Sequence, residues 1–362
     1  MTTLAQLKLD WLTQPAKPVC DTSQSQAEAH QQQLTKPPGS LGQLEAIAIQ
    51  LAGLQGQEKP QIEQVHITVF AADHGIANAG VSAFPQAVTG EMIRNFAHGG
   101  AAIAVLAKQL GAQLQVVNLG TASELEAIAG VEANVIGPGT ANFAEQAAMT
   151  ETQLAQALNY GKNCIDQLDP KTIQLFIGGE MGIANTTTAS ALAAALLQCP
   201  AEAVVGPGTG INQTTQQHKQ QVISQALQLH KLNQGANPSD PTYLLTMLRS
   251  IGGFEIAALT GAYLRAAQQG IAILVDGFIA SVAALIALRL QPDLKPWLIL
   301  GHRSAEPGHS KVVEALGLIP ILDLNMRLGE GSGAACAVPL LKLACELHNN
   351  MATFDSANVS KG

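Results

Sequence analysis

One phrase recurs along the chain: a short run that is apolar at almost every position, then a polar or glycine-bearing segment, then a helix-like run. Residues 65–70 lead into Asp73-His74-Gly75, and residues 173–177 into Gly178-Gly179-Glu180-Met181-Gly182. Residues 271–275 lead into Asp276-Gly277-Phe278, and residues 297–300 into Gly301-His302-Arg303-Ser304. Residues 319–324 precede Leu328-Gly329-Glu330-Gly331-Ser332-Gly333-Ala334, and residues 114–119, ending at Gly120-Thr121, are a sixth candidate. Continuous rather than alternating apolar runs predict strands buried on both faces. The intervening stretches 101–110, 187–197, 255–268 and 280–288 predict the crossover helices of a parallel sheet. The predicted fold class is therefore α/β. In such sheets ligands bind beyond the carboxyl ends of the strands, and every polar segment above lies at such an end.

Two regions fall outside this rhythm. Residues 1–59 hold helix-like patterns and the turn Lys36-Pro37-Pro38-Gly39-Ser40-Leu41-Gly42, but no convincing strand. A last helix, from about residue 332 to 347, follows the final strand. The two ends, 1–59 and 331–362, are expected to pack together as a small helical subdomain beside a catalytic domain over 60–330. The tail from Asn349 onward is expected to fray.

Composition narrows the classes. A chain of 362 residues suits one large domain, or one with a smaller companion. Charged residues are 13%, well below the usual quarter, and the net charge is −8 with no long basic cluster, which argues against a nucleic-acid partner. Apolar segments such as 279–288 fall far short of a membrane span, and Lys8 and Asp10 near the start do not read as a secretory leader. Five cysteines without a Cys-x-x-Cys pair read as reduced thiols, so a cytoplasmic location is expected.

The polar segments carry the candidate chemistry. Glu330 stands between glycines that let a ligand approach, although an acid there also suits the start of a helix. Gly206-Pro207-Gly208-Thr209-Gly210 fits neither the dinucleotide fingerprint nor the P-loop. It is either a plain turn or a backbone cradle for one phosphate, with Lys219 as counter-charge. Gly182-Ile183-Ala184-Asn185-Thr186-Thr187-Thr188 offers helix-start amides and hydroxyls, equally an ordinary cap or a phosphate site. Glu180 would face the ligand from the strand end. His74 has no second histidine at ligand spacing, so no metal is expected. Ser82-Ala83-Phe84-Pro85-Gln86 supplies a ring and an amide apt for a flat heterocycle, or simply a proline turn with a buried Phe.

Taken in order from about residue 36 to 345, these segments resemble the nicotinate-nucleotide–dimethylbenzimidazole phosphoribosyltransferases. The resemblance rests on Lys36 to Gly42, Ala72-Asp73-His74-Gly75, Gly80 to Gln86, and Gly179 to Thr187. It continues through Val205 to Gly210, Asp276-Gly277-Phe278, Gly301 to His309 and Leu328 to Ala334. One departure is Ala184, where the family pattern has glycine; its methyl is expected to narrow the phosphate cradle slightly. The resemblance implies a Rossmann-like parallel sheet with helices on both faces, a small domain from both chain ends and a homodimer. The implied reaction moves the phosphoribosyl group of nicotinate mononucleotide to 5,6-dimethylbenzimidazole, giving nicotinate and α-ribazole 5′-phosphate, with no cofactor.

The same resemblance implies residue roles. Glu330 corresponds to the general base that takes the benzimidazole N–H proton, and Glu180 would face the ribose and the charge developing at C1′. Ser82, Phe84, Gln86, Met181 and Leu328 are the candidates for the base pocket. Gly182, Asn185, Gly208, Lys219 and Ser304 are the candidates for the nucleotide and its phosphate. Two rivals differ in kind: a diphosphate-using phosphoribosyltransferase, whose acidic pair before a hydroxyl-rich loop is missing here, and a non-catalytic sensor of nicotinate nucleotide on the same sheet.

Overall fold

The computed structural model describes residues 7–206, 212–232 and 237–360. The elements run α1 (Asp21–Gln31), α2 (Gln43–Gln55), β1 (Val65–Ala72), α3 (Ala87–Ala97), α4 (Ala102–Leu110), β2 (Gln113–Gly120), β3 (Val131–Ala133), α5 (Glu151–Asp166) and β4 (Leu175–Met181). They continue α6 (Asn185–Leu197), α7 (Gln213–Leu229), α8 (Pro241–Ile251), α9 (Phe254–Gln269), β5 (Ala272–Val275), α10 (Phe278–Leu290), β6 (Leu298–Leu300), α11 (His309–Leu316) and α12 (Ser332–Asn350). The six strands form one parallel sheet in the order β3-β2-β1-β4-β5-β6.

That is the Rossmann strand order, with its reversal between β1 and β4. All eight residues of β1 are buried, His66 and Thr68 included, and so are all four of the wholly apolar β5, as a sheet covered on both sides requires. Helix α9 packs against β1, β2, β4 and β5, while α3 and α4 pack against β2 and α12 against β4 and α4. Phe70, Phe176, Phe254, Tyr263 and Trp297 are fully buried in the resulting core.

Two strand expectations need correction. Residues 319–324 form no strand: a single parallel bridge joins His302 to Leu322, while Ile319 and Leu324 are 71% and 61% exposed. Pro320 has no amide to give a ladder, and no element covers this run. The sheet's sixth strand is instead β3, three partly exposed residues on the far edge, too short to stand out as an apolar run.

The tail does not fray as expected. The Phe354 amide donates to the Gln33 carbonyl, the Thr35 amide to the Ala352 carbonyl, and Leu34 bridges Thr353. Nearby, His348 bonds the Gln31 side chain and the Glu58 carbonyl, and α12 packs on α2.

Helices α5 and α9 approach closely enough that backbone meets backbone. A Cβ added at Gly161 would lie 1.8 Å from the Ala258 carbonyl oxygen. Gly161→Ala must therefore push the helices apart and is expected to cost about 1–3 kcal/mol, the usual range for overpacking a core. A shift in the denaturant midpoint at unchanged m-value measures it.

Candidate active site

A cavity of about 410 Å³ opens beyond the carboxyl ends of β1, β4, β5 and β6. This is where a doubly wound sheet leaves a crevice, because the crossovers diverge at the β1–β4 junction. Its walls are Phe84, Val88 and Met92 from the approach to α3 and α3 itself, Glu180, Met181 and Gly182 from the end of β4, and Asn185 and Thr186 from the start of α6. Asp276 to Ala280 follow β5, His302, Ser304 and Glu306 follow β6, and residues 327–330 close the remaining side.

Glu330 enters this space on a turn of three consecutive left-handed residues: Gly329 at φ +90°, Glu330 at +65° and Gly331 at +87°. A non-glycine residue there carries a strain of roughly 1–2 kcal/mol, so neighbours must hold it. One is β4, whose Gly179 lets the Glu330 carbonyl approach so closely that a Cβ would sit 2.2 Å from the oxygen. Burial raises the Glu330 carboxyl above its ordinary range; the Ile103 amide at the start of α4 pulls it down, and Asp276 pushes it up. Its Oε2 is buried with no hydrogen-bond partner. An acceptor in that state costs stability unless something donates to it.

Glu180 is buried more severely. Desolvation first, then the negative Asp276, Glu255 and Glu330, push its carboxyl well above the carboxylate range, against one bond from the Glu330 amide. Asn185 Nδ2 donates to its Oε2, and Gly329 lies against its Oε1, where a Cβ would come within 2.4 Å.

The nucleotide candidates gather around α6. Asn185 is the first residue of that helix and lines the cavity, as do Gly182 and Ser304. Ser304 is held by a bond from its amide to His309 Nδ1 at 2.7 Å, while His309 Nε2 contacts Ser281 Oγ at 3.0 Å. Burial, then the neighbouring His302, lowers His309 to about 4, so it stays neutral and accepts at Nδ1. Lys219 does not line the cavity. It is buried behind Thr186, to whose Oγ1 its Nζ donates at 3.0 Å, and burial lowers its pKa to about 8 against the pull of Glu306. Gly208 lies outside the described residues.

Among the base-pocket candidates, Phe84, Met181 and Leu328 line the cavity, and the Phe84 ring is 52% exposed. Ser82 and Gln86 do not line it. Ser82 Oγ accepts from the Phe84 amide at 3.3 Å, and Gln86 donates its side-chain amide to the His74 carbonyl at 2.9 Å. Both brace the loop that presents Phe84.

Asp73 and His74 are scaffolding beneath the cavity. His74 Nε2 meets Glu255 Oε1 at 2.8 Å and Nδ1 meets Thr188 Oγ1 at 2.9 Å, all buried. Asp73 accepts from Thr89 Oγ1 at 2.6 Å and the Ala122 amide at 2.8 Å, and Thr89 Oγ1 accepts in turn from the Ile183 amide.

A family model described as Phosphoribosyltransferase matches residues 16–359. The Pseudomonas putida protein named nicotinate-nucleotide–dimethylbenzimidazole phosphoribosyltransferase is 57% identical over 350 residues, which is 97% of this chain and 98% of its own length. The Azotobacter vinelandii protein of that name is 55% identical over 355 residues, 98% and 99% of the two chains. The chain belongs to the nicotinate-nucleotide–dimethylbenzimidazole phosphoribosyltransferase family. A crystal structure of the Thermus thermophilus protein of that name matches with a TM-score of 0.87 at 41% identity, covering 95% of this chain and 100% of that one.

Measured against the cavity, sequence reasoning about this phosphoribosyltransferase missed several walls. Val88, Met92 and Ile183 are apolar residues on helical or loop spacing, indistinguishable from core in one sequence. Asp276, Glu306 and Arg327 stand in or beside recognised segments without a sign of what each faces.

Ala184 carries a backbone constraint of its own. Its backbone is left-handed at φ +75°, and it is buried as the N-cap of α6. A glycine would adopt that backbone without strain. Ala184→Gly relieves a strain of roughly 1–2 kcal/mol and gives back part of it as unfolded-state entropy. A net gain of about 0.5–1 kcal/mol is expected, read as a higher melting temperature with turnover preserved.

Proposed function

We propose that this chain transfers the phosphoribosyl group of nicotinate mononucleotide to 5,6-dimethylbenzimidazole, the activity named for its relatives, releasing nicotinate and forming α-ribazole 5′-phosphate. The observation that carries the proposal is Glu330: a buried acid on a strained left-handed turn, in the wall of the cavity that Phe84 also lines. Nicotinate leaves as a neutral ring nitrogen, so the departure needs no acid. The attacking benzimidazole gains positive charge as its ring nitrogen bonds to C1′, and its other N–H becomes acidic. A carboxylate of raised proton affinity on that N–H is what the transition state requires. Glu180 faces the ribose side, and as a buried carboxyl pushed upward it can hold a proton and donate to a sugar oxygen, or, ionised, oppose the charge at C1′.

Phe84, Met181 and Leu328 flank the flat acceptor in this reading, with Ser82 and Gln86 shaping their loop. Gly182, Asn185, Ser304 and Gly208 hold the nucleotide, and Lys219 supplies counter-charge through Thr186. The sensor alternative is disfavoured by the strain invested at Glu330, which binding alone does not need. Residues 1–59 and 331–362 act as a small helical subdomain beside a catalytic domain over 60–330, supported by the pairing of 33–35 with 352–354. Homodimer formation has support in Val105 and Leu343, large exposed apolar residues on the mutually packed α4 and α12. A cytoplasmic location agrees with five unpaired cysteines.

Glu330→Gln is expected to lower turnover by about 10²–10⁴-fold while nicotinate mononucleotide still binds. Chromatography of α-ribazole 5′-phosphate beside calorimetric titration of the nucleotide reads both quantities. Near-normal turnover of that variant at saturating substrate rejects the assignment.

Lys219 sets an alkaline limb. Its ammonium is present below a pKa of about 8 and is lost above it, so kcat/KM for nicotinate mononucleotide should fall as pH rises through that value. A guanidinium keeps its charge throughout this range. Lys219→Arg, if it binds the nucleotide at all, should lose the limb, and retention of the limb unchanged rules Lys219 out as its source.

A further inference from the structure

Asp276 follows β5, is almost fully buried, and sends both carboxylate oxygens to the start of α12. Oδ2 accepts from the Gly331 amide at 3.1 Å and Oδ1 from the Ala334 amide at 2.8 Å. Helix α12 has no cap of its own, because Gly331 at its N-cap carries no side chain. Asp276 therefore caps the helix from another element, and the amide it grips first belongs to the residue after Glu330. Other restraints on the turn are the Ser332 Oγ and amide bonds to the Gly329 carbonyl at 2.7 and 3.0 Å, the Glu330 amide bond to Glu180, the Ile103 amide bond to Glu330 and the close contact with Gly179. His302 Nε2, from the segment after β6, lies 3.4 Å from Asp276 Oδ1.

We propose that Asp276 is a positioning residue for Glu330: its two amide bonds hold the left-handed turn that places Glu330 in the cavity wall. This rests on the reading of Glu330 as general base. Geometry is one half of its effect and charge the other. Asp276 is a fixed negative neighbour that favours a proton on Glu330. The other charged or titratable groups around the turn are Glu180 on β4, His302 after β6, and Arg327 in the same loop.

Two variants separate geometry from charge. Asp276→Asn keeps the shape but turns an N–H₂ toward one of the two amide donors and removes the charge. It should lower kcat by about 10²-fold, the usual penalty for a misplaced reacting group, with KM for nicotinate mononucleotide nearly unchanged. The acid limb of kcat should move to lower pH, because a like charge beside the base is gone. Asp276→Glu keeps the charge and displaces the turn, so kcat should fall with the limb unmoved. In a Glu330→Gln background, Asp276→Asn should add no further loss, since both act through one group. In the unmodified protein, hydrogen exchange at the Gly331 and Ala334 amides should be slow. That measurement stands even if a variant fails to fold.

Full turnover in a folded Asp276→Asn enzyme, an unmoved acid limb, additive losses in the double variant, or rapid exchange at those amides would each overturn the positioning role. If Glu330→Gln itself retains turnover, the base assignment fails instead. An inactive Glu330→Gln beside a normal Asp276→Asn rejects only the role given to Asp276.

Discussion

The structure depends on one constraint: carboxylates buried at the carboxyl edge of the sheet must each find donors there. Leaving such an ion unpaired costs several kcal/mol even after relaxation. The donors are mostly backbone amides of loops and helix starts. Asp73 takes the Ala122 amide, Asp276 those of Gly331 and Ala334, and Glu330 that of Ile103. Side chains serve others: the His74 imidazole meets Glu255, and the Asn185 amide donates to Glu180.

That economy joins fold to chemistry. Each carboxylate–amide pair ties a strand end to a segment distant in sequence, so the cavity wall is assembled from five loops that cannot move independently. Glu180 and Glu330 are the exceptions that matter. Their donors do not offset burial and the neighbouring charges, and both carboxyls are pushed upward, as is that of Asp73 beneath them, but only these two line the cavity. A site built this way sets two carboxyls of raised proton affinity in the wall of one cavity, held by fixed groups of the surrounding loops.

Much of this was legible in one sequence. The largely apolar run at 65–70 and the unbroken one at 271–275 pointed to doubly buried strands, and the polar segments after them mark the crevice. Glu180 and Glu330 could be named because glycines isolate them. Residues 319–324 misled because an apolar run looks the same whether or not an element covers it, and β3 was invisible because three edge residues carry no period. Val88 and Met92 were missed because a cavity wall and a core face have the same composition.

The sequence by itself determined the alternation of strands and helices, the segments that carry chemistry and the family to which they belong. These properties are local, written in the apolar run length and in the order of glycines and acids along the chain. Only the tertiary structure decided that Ala184 sits left-handed, that Lys219 reaches the site through Thr186, and that Asp276 holds the turn of Glu330. Those facts depend on distances between residues tens of positions apart, set by the closing of a core whose strands and helices meet only once all of them are present. The sequence lists the groups; burial and approach assign what each one faces.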